Sequence, residues 1–199
     1  MPRQFVAVFA VLLAAVVSGS NLSPGHPGSV GASQASPAAE ADCPATSAEE
    51  NAALVQRYYE QAYNGRNPEV VDELLADGFV RHNVAVPQAD QAPSNADDVA
   101  RVEAWLAAFS DLQIGIEELF ATQDTVVSFV VWRGTQDGPL PQWDAPVTGL
   151  PMERESLVVW RIACGRLAEN WIVQDNLTML RQLGIITNEE LTTAGTPTP

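Results

Sequence analysis

Apolar residues recur at helical spacing through the first half of the region between Thr46 and Leu191. Their three- and four-residue spacing predicts helices over residues 46–64, 67–77 and 95–109. Glu49 and Glu50 follow Ser47, which is typical of a helix start because acidic side chains favour the positive end of the helix dipole. The apolar stripe of the first helix comprises Leu54, Val55, Tyr58, Tyr59 and Ala62.

The remaining apolar segments are rich in Val, Ile, Phe and Trp and predict strands over residues 79–84, 112–121, 125–134, 152–163 and 167–173. Helices followed by a run of strands favour an α+β fold, with three N-terminal helices packed on one face of a curved antiparallel sheet. A strongly curved sheet of this kind forms a cone with one open end. Residues 136–151 contain four prolines and two glycines, and a long loop of this kind often covers a pocket.

The last two predicted strands are joined at Gly165, whose freedom to adopt positive φ suits a tight hairpin turn. Residues 167, 169, 171, 173 and 175 then share one face of the second strand. If that face lines a concave interior, Asp175 lies beside Trp171 in poor solvent, and a carboxyl group there has a raised pKa suited to proton transfer. The alternative is that Asp175 caps a short helix beginning near Asn176.

The chain ends predict targeting and linker segments outside the folded domain. Arg3, an apolar run from Phe5 to Val17 and the small residues that follow have the order of a secretory signal peptide over residues 1–20. An uncleaved membrane anchor is the alternative. Residues 21–45 are mostly Ser, Gly, Pro and Ala and predict a disordered tether, and residues 192–199 predict a disordered tail. The folded domain is therefore expected over residues 46–191 of a secreted or extracytoplasmic protein.

The net charge and the number of cysteines indicate which partners are disfavoured and whether a disulfide is expected. The formal net charge of −15 would repel nucleic acid and anionic lipid surfaces, although solubility alone also explains the acidity. Only two cysteines are present, Cys43 and Cys164, and in an exported chain an even number favours one disulfide. That bond would close a loop of about 120 residues, for which the chain-entropy model gives on the order of 5 kcal/mol. Two free thiols are the alternative.

Motifs for several common chemistries are absent from the sequence. It contains no Gly-rich phosphate loop, no CxxC pair, no HExxH and no GxSxG. His82 is the only histidine of the predicted domain, which argues against a multi-histidine metal site. The remaining candidate chemistry is a pocket with carboxylate and imidazole groups, without a metal or other cofactor.

Between about residues 50 and 184 the chain carries an ordered series of short segments. They are Leu54-Val55-Gln56-Arg57-Tyr58-Tyr59-Glu60, Asn64, Phe79-Val80-Arg81-His82, Phe109-Ser110-Asp111-Leu112, Trp160-Arg161-Ile162, Glu169-Asn170-Trp171, Asp175 and Leu180-Arg181-Gln182-Leu183-Gly184. In order and spacing they resemble the SnoaL-like polyketide cyclases, also called ester cyclases, of the nuclear transport factor 2-like superfamily. The resemblance implies a cone-shaped α+β barrel with an apolar cavity, often dimeric, and in true cyclases an intramolecular aldol condensation without metal or cofactor.

The resemblance also assigns roles to individual residues. It places the family's acid/base aspartate on Asp175 and a histidine common in its first strand on His82. His82 could polarise a carbonyl group or orient the substrate, or it could be a structural residue. The chain departs from the family at Asn170, where a histidine usually precedes the tryptophan. An amide donates a hydrogen bond but exchanges no proton at neutral pH.

Three functions fit the sequence. In a cofactor-independent cyclase or isomerase, Asp175 removes a proton next to a carbonyl and His82 or Asn170 holds the enolate. The candidate substrate contacts are Trp171, Asn170, Trp132 and Tyr59. The second function is a non-catalytic protein that holds a small hydrophobic molecule. The third is an interaction module in which the outer sheet face forms a homodimer or an interface with another partner, through residues such as Trp160 or Trp105. A membrane contact is expected only if the signal segment stays uncleaved.

Overall fold

The computed structural model describes residues 43, 45–83, 94–140, 143 and 145–187. The predicted signal peptide (1–20), the predicted tail (192–199) and most of the predicted tether (21–45) lie outside the described residues. Those assignments stay predictions. In the described part of the chain, no helix is long and apolar enough to cross a membrane.

The first helix begins with the predicted polar start. Helix α1 spans Ala48–Arg57, and the Ser47 hydroxyl accepts a hydrogen bond from the Glu50 backbone N–H while the Glu50 carboxylate accepts one from the Ser47 N–H. A π-helix over Tyr58–Asn64 continues it. Helices α2, α3 and α4 span Val70–Leu74, Asn95–Ala108 and Asn176–Gln182. Helix α2 is shorter than the predicted helix over residues 67–77, because a strand already begins at Leu75.

Five strands form one sheet. Strands β1 to β5 span Leu75–Asn83, Gln113–Ala121, Thr125–Thr135, Pro151–Ala163 and Arg166–Gln174, and their order is β1-β5-β4-β3-β2. The α+β prediction is confirmed, but the sheet is mixed rather than fully antiparallel, since β1 pairs in parallel with β5. A parallel pair needs a long crossover connection, which α3 and three strands supply here. Register shifts in three of the four strand pairs curve the sheet.

The predicted hairpin between the last two strands is confirmed. Its two-residue turn consists of Cys164 at φ 52° and Gly165 at φ 69°, and paired positive φ values are what the favoured hairpin turn requires. Cys164 is also bonded to Cys43, with 5.4 Å between the two Cα atoms and 121 residues of sequence separation. The predicted disulfide is therefore present, and it joins the residues before α1 to the β4–β5 turn.

The helices pack on the inner face of the sheet. Side chains of β4 alternate between the two faces, and the buried row comprises Met152, Arg154, Ser156, Val158, Trp160 and Ile162. The rings of Tyr58 and Tyr59 pack edge-on against Trp160, with centroids 5.0 and 6.1 Å away. These aromatic rings leave a cavity between the π-helix and the sheet.

Candidate active site

A cavity of about 100 Å³ lies between the helices and the inner face of the sheet. The π-helix contributes Tyr58, Tyr59 and Tyr63 to its lining, and two cationic side chains, Arg81 and Arg101, join them. The volume is smaller than the roughly 150 Å³ that holds benzene in a protein core, but the cavity is partly open to solvent, so a small aromatic molecule can enter it and extend beyond it. The family resemblance implied an apolar cavity, whereas this lining combines aromatic rings with guanidinium groups.

One described residue of the proline-containing loop over residues 136–151 reaches the cavity. Trp143 lies in the lining, and its ring packs edge-on against Trp105 with centroids 6.1 Å apart. The buried Gln136 amide nitrogen donates to the carbonyl oxygens of Gly138 at 3.1 Å and Pro146 at 3.0 Å, which holds the loop in place. The prediction that this loop covers a ligand pocket stays a prediction, and the position of Trp143 in the lining supports it.

The π-helix determines which tyrosines meet in the cavity. Residues five apart are neighbours along a π-helix, because its backbone hydrogen bonds run from residue i to i+5. Tyr58 and Tyr63 are related in this way: their hydroxyl oxygens are 3.5 Å apart and their ring centroids 5.7 Å apart. The Tyr59 hydroxyl instead lies 3.1 Å from the Ser128 hydroxyl on β3. Two adjacent tyrosines therefore have different polar surroundings.

A buried carboxylate holds both arginines of the lining. Asp98, from α3, is completely buried, and the Arg81 guanidinium on β1 donates to its Oδ1 at 2.7 Å. Arg101, one helical turn further along α3, contacts the same oxygen. One negative charge thus faces two positive charges, and the cluster keeps a net positive charge beside the cavity.

This cluster changes the proton affinity of Tyr58. Burial by itself raises the pKa of a phenol, but the positive charges of Arg81 and Arg101 outweigh that effect. The hydrogen bonds that Tyr58 makes to Tyr63 and Arg81 act in the same direction, and the pKa of Tyr58 is lowered from its ordinary value of 10.0. Burial and the neighbouring Tyr58 raise the pKa of Tyr63 well above that value. Burial also raises the pKa of Tyr59.

Asp175 lies on the opposite side of the sheet from its predicted position. Its carboxylate is exposed and accepts a hydrogen bond from the Thr178 backbone N–H at 2.9 Å, so it caps α4. Hydrogen bonds from the Thr178 side chain and backbone lower the pKa of Asp175. The expectation of an interior position with a raised pKa is wrong, and the capping alternative describes the geometry. The catalytic role assigned to Asp175 stays a prediction that this geometry does not favour.

The predicted face of β5 is likewise the outer one. Trp171 is 41% exposed, and its ring stacks on His82 with centroids 5.0 Å apart. The His82 Nε2 lies 2.7 Å from Glu169, which also accepts a hydrogen bond from Arg161 at 2.7 Å. His82 and Trp171 therefore lie together, away from the cavity. The prediction misplaced the row because large apolar side chains occur on the exposed face of this strand.

Three other predicted contacts lie on the inner side. Tyr59 and Trp132 line the cavity. Asn170 is completely buried beside Arg81, its register partner on β1, and neither polar atom of its amide has a hydrogen-bond partner among the described residues. These positions are compatible with substrate contacts, which stay predictions.

The arginines and Tyr63 were missing from the sequence-based candidates. Arg81 was visible in the predicted strand, and the two-residue period would have placed it opposite His82 once the inner face was known. Arg101 lies three residues after Asp98, a spacing that brings side chains together on a helix. Tyr63 lies four residues after Tyr59 and so continues the first helix's apolar stripe.

The helices and the curved five-stranded sheet together define an α+β protein of the nuclear transport factor 2-like class. A family model for SnoaL-like polyketide cyclases matches residues 53–183, which is well over half of the chain, and the protein belongs to that family. No curated protein sequence matches this chain.

Solved structures agree with this assignment. A candidate polyketide cyclase of Acidithiobacillus ferrooxidans is 25% identical, with 68% of this chain and 94% of that chain covered and a TM-score of 0.60. IdmH of Streptomyces antibioticus, also a candidate polyketide cyclase, is 28% identical, with coverage of 66% and 96% and a TM-score of 0.56. A Catenulispora acidiphila protein with a ketosteroid isomerase-like fold is 14% identical, with coverage of 66% and 92% and a TM-score of 0.54. That last likeness concerns the fold alone.

Proposed function

We propose that this protein is a cofactor-independent enzyme of the cyclase or isomerase type that acts on a small carbonyl compound in the cavity. The observation that carries the proposal is the position of the Tyr58 hydroxyl, in the lining and under the influence of Arg81 and Arg101. A phenol with a lowered pKa suits proton transfer, and fixed positive charges stabilise an oxyanion in a site shielded from water.

In the proposed reaction, the Tyr58 phenolate takes the proton from the carbon next to the substrate carbonyl. The C–H electron pair forms the enolate, so the negative charge moves from the phenolate oxygen to the substrate oxygen beside Arg81 and Arg101. Tyr58, now neutral, donates a hydrogen bond to that oxygen or returns the proton to another carbon. In an isomerase, the proton returns to another carbon of the enolate, and Tyr58 becomes a phenolate again. In a cyclase, the enolate carbon attacks a second carbonyl carbon, the C=O electron pair moves to that carbonyl oxygen, and this oxygen takes the proton from Tyr58, which restores the phenolate.

4-Nitrophenolate, an aromatic oxyanion, is a probe for the enolate-bound state. We expect the wild-type protein to bind it more tightly than neutral 4-nitrophenol, measured by absorbance titration across the probe's own pKa. Tyr58→Phe should weaken binding of the anion about tenfold or more, since a hydrogen bond to a charged group is lost. Tyr59→Phe is the matched control, because Tyr59 lines the same cavity but bonds to Ser128, and its effect should stay below about twofold.

Two results would contradict the proposal. One is equal affinity for the neutral and anionic forms of the probe in the wild-type protein. The other is an equal loss of affinity in the two tyrosine variants, which would mean that the arginine pair gives Tyr58 no special role.

A non-catalytic small-molecule carrier is the second candidate function. It is favoured by the absence of a carboxylate from the cavity lining within the described residues, which leaves Tyr58 as the proposed base. Exchange of the α-hydrogens of cyclopentanone in deuterium oxide separates the two functions. Protein-dependent exchange that disappears in Tyr58→Phe supports the enzyme, whereas tight 4-nitrophenolate binding without exchange supports the carrier.

We further propose that the protein works outside the cytoplasm, as the signal-like residues 1–20 predict. The disulfide between Cys43 and Cys164 supports an oxidising compartment. N-terminal sequencing of the exported protein should find residues 1–20 removed, and retention of all the protein in the cytoplasm would contradict export. The predicted homodimer would bury exposed apolar residues of the outer sheet face, and light scattering measures it directly.

A further inference from the structure

Arg154 occupies an unusual place for a charged residue. It lies on the buried row of β4 and is only 1% exposed. Its guanidinium carbon lies 4.4 Å from the centre of the Trp105 ring and 4.5 Å from the centre of the Trp132 ring. The positive charge is therefore held between two indoles, whose faces attract cations.

No carboxylate neutralises this charge among the described residues. The Arg154 Nη1 donates to the amide oxygen of Asn176 at 3.2 Å, while its Nε and Nη2 have no hydrogen-bond partner in the described structure. Burial lowers the pKa of Arg154 to about 10, so the side chain is still protonated at neutral pH. A buried charge without a counter-charge destabilises a fold, which makes its presence informative.

The surroundings of Arg154 are rich in donors and adjoin the cavity. The guanidinium contacts Trp105, Trp132 and Asn176. The next residue on the same face of β4 is Ser156. All four of these residues line the cavity. The Trp132 indole N–H and the Ser156 hydroxyl also lack a hydrogen-bond partner among the described residues. An acceptor with a negative charge would satisfy these donors and neutralise the buried cation at the same time.

We propose that Arg154, Ser156 and Trp132 form a carboxylate subsite at one end of the cavity, so that the ligand is a small keto acid or a related carbonyl compound with a carboxylate. This inference rests on the proposed function for the other end of the ligand, where the carbonyl oxygen lies near Tyr58. The unpaired Arg154 nitrogens are shielded from solvent, and Asn176 is the half-buried lining residue bonded to this guanidinium. The carboxylate displaces the Asn176 amide from Nη1 when it binds.

Benzoate and its neutral analogue benzamide test the subsite by isothermal titration calorimetry at low salt. The wild-type protein should bind benzoate about tenfold or more tightly than benzamide, because a charge-assisted pair replaces an unpaired buried cation. Arg154→Met should remove this preference. Arg133→Met is the matched control, since Arg133 is an exposed arginine of β3 that pairs with Glu153, and it should keep the preference.

The folding of the variants is checked by thermal unfolding. Arg154→Met should unfold at the same or a higher temperature than the wild type, because it removes an uncompensated buried charge. If that variant does not fold, Ser156→Ala is the substitute, and it should weaken benzoate binding several-fold while benzamide binding stays unchanged.

Equal binding of benzoate and benzamide by the wild-type protein would overturn the subsite, as would full preference for benzoate in folded Arg154→Met. Failure of the subsite is distinguishable from failure of the proposed enzyme. Tyr58→Phe should keep the benzoate preference while losing affinity for 4-nitrophenolate, whereas Arg154→Met should do the reverse.

Discussion

Tyr58 and Tyr59 are adjacent in sequence and almost equally buried, at 2% and 1% exposure, yet their hydroxyl groups differ in chemistry. Tyr59 meets a neutral serine hydroxyl, and its pKa is raised by burial. Tyr58 lies near two guanidinium groups that share one carboxylate, and their positive charges outweigh the effect of burial, so the pKa of Tyr58 is lowered. Burial alone therefore does not decide the chemistry of a cavity residue here, because the neighbouring charges determine the sign of the pKa shift.

Asp175 provides a prediction at the same scale. Because its carboxylate only caps α4, Asp175→Ala should lower the free energy of unfolding by about 1 kcal/mol. Asp175→Asn should lose much less, since asparagine is an equally favoured cap. Urea unfolding measures both changes. Both variants should bind 4-nitrophenolate like the wild type, and a large loss of binding in Asp175→Asn with unchanged stability would restore the catalytic role.

Residue roles were the least predictable level of this protein. The hairpin turn follows from the ability of Gly165 to adopt positive φ. The disulfide of Cys164 follows from the presence of only two cysteines in the chain. The role of Asp175 depends on which face of β5 is inside, and no local property decides that. Trp171 and Val173 made the outer face look buried, although they are 41% and 56% exposed.

At the scale of elements, periodicity predicted the strands β2 to β5 and the helix α3 closely. The periodicity of apolar residues did not predict the π-helix or the parallel pairing of β1. A π-helix changes the neighbours of a residue without changing the apolar pattern, and strand direction depends on contacts far apart in sequence. Both features belong to the candidate site, since one positions Tyr58 and Tyr63 and the other positions Arg81.

Polar side chains on the outer face of the sheet link edge strand β1 to its neighbours, in addition to the backbone pairing with β5. Glu169 on β5 accepts hydrogen bonds from Arg161 on β4 and lies 2.7 Å from His82 on β1. Partial burial raises the pKa of Glu169, but Arg161 and His82 outweigh that effect and the net shift is downward. A carboxyl group whose folded pKa is lowered stabilises the fold above its unfolded pKa, and this contribution is lost as the pH falls through the folded value.

Glu169→Gln should therefore be less stable than the wild type near neutral pH. The difference in the free energy of unfolding should shrink as the pH falls below the unfolded pKa of about 4.3. Urea unfolding at several pH values measures it. Glu153→Gln is the control, because Glu153 pairs with Arg133 on the exposed surface, where ion pairs contribute about 0–1 kcal/mol. A difference for Glu169→Gln that is independent of pH would contradict this account.

At the scale of the whole molecule, charge is distributed unevenly. The chain carries a net charge of −15, yet Arg81 and Arg101 line the cavity and share the single carboxylate of Asp98. Arg154 lies behind the lining residues Trp105 and Trp132 and has no carboxylate partner among the described residues. The acidic residues of the chain can be explained by solubility, but the cluster of arginines at the cavity cannot. We therefore infer that these arginines interact with a ligand. Stabilising an oxyanion and binding a carboxylate are the two uses inferred from the geometry of the cavity.

The most direct test of the central claim is an alkaline titration of tyrosinate absorbance in the near ultraviolet. The chain has only three tyrosines, all in the π-helix, so each contributes a third of the signal. We predict that one tyrosine ionises below pH 10, that the other two ionise far above it, and that the first step is missing in Tyr58→Phe. Simultaneous ionisation of all three, or an unchanged first step in Tyr58→Phe, would contradict the account.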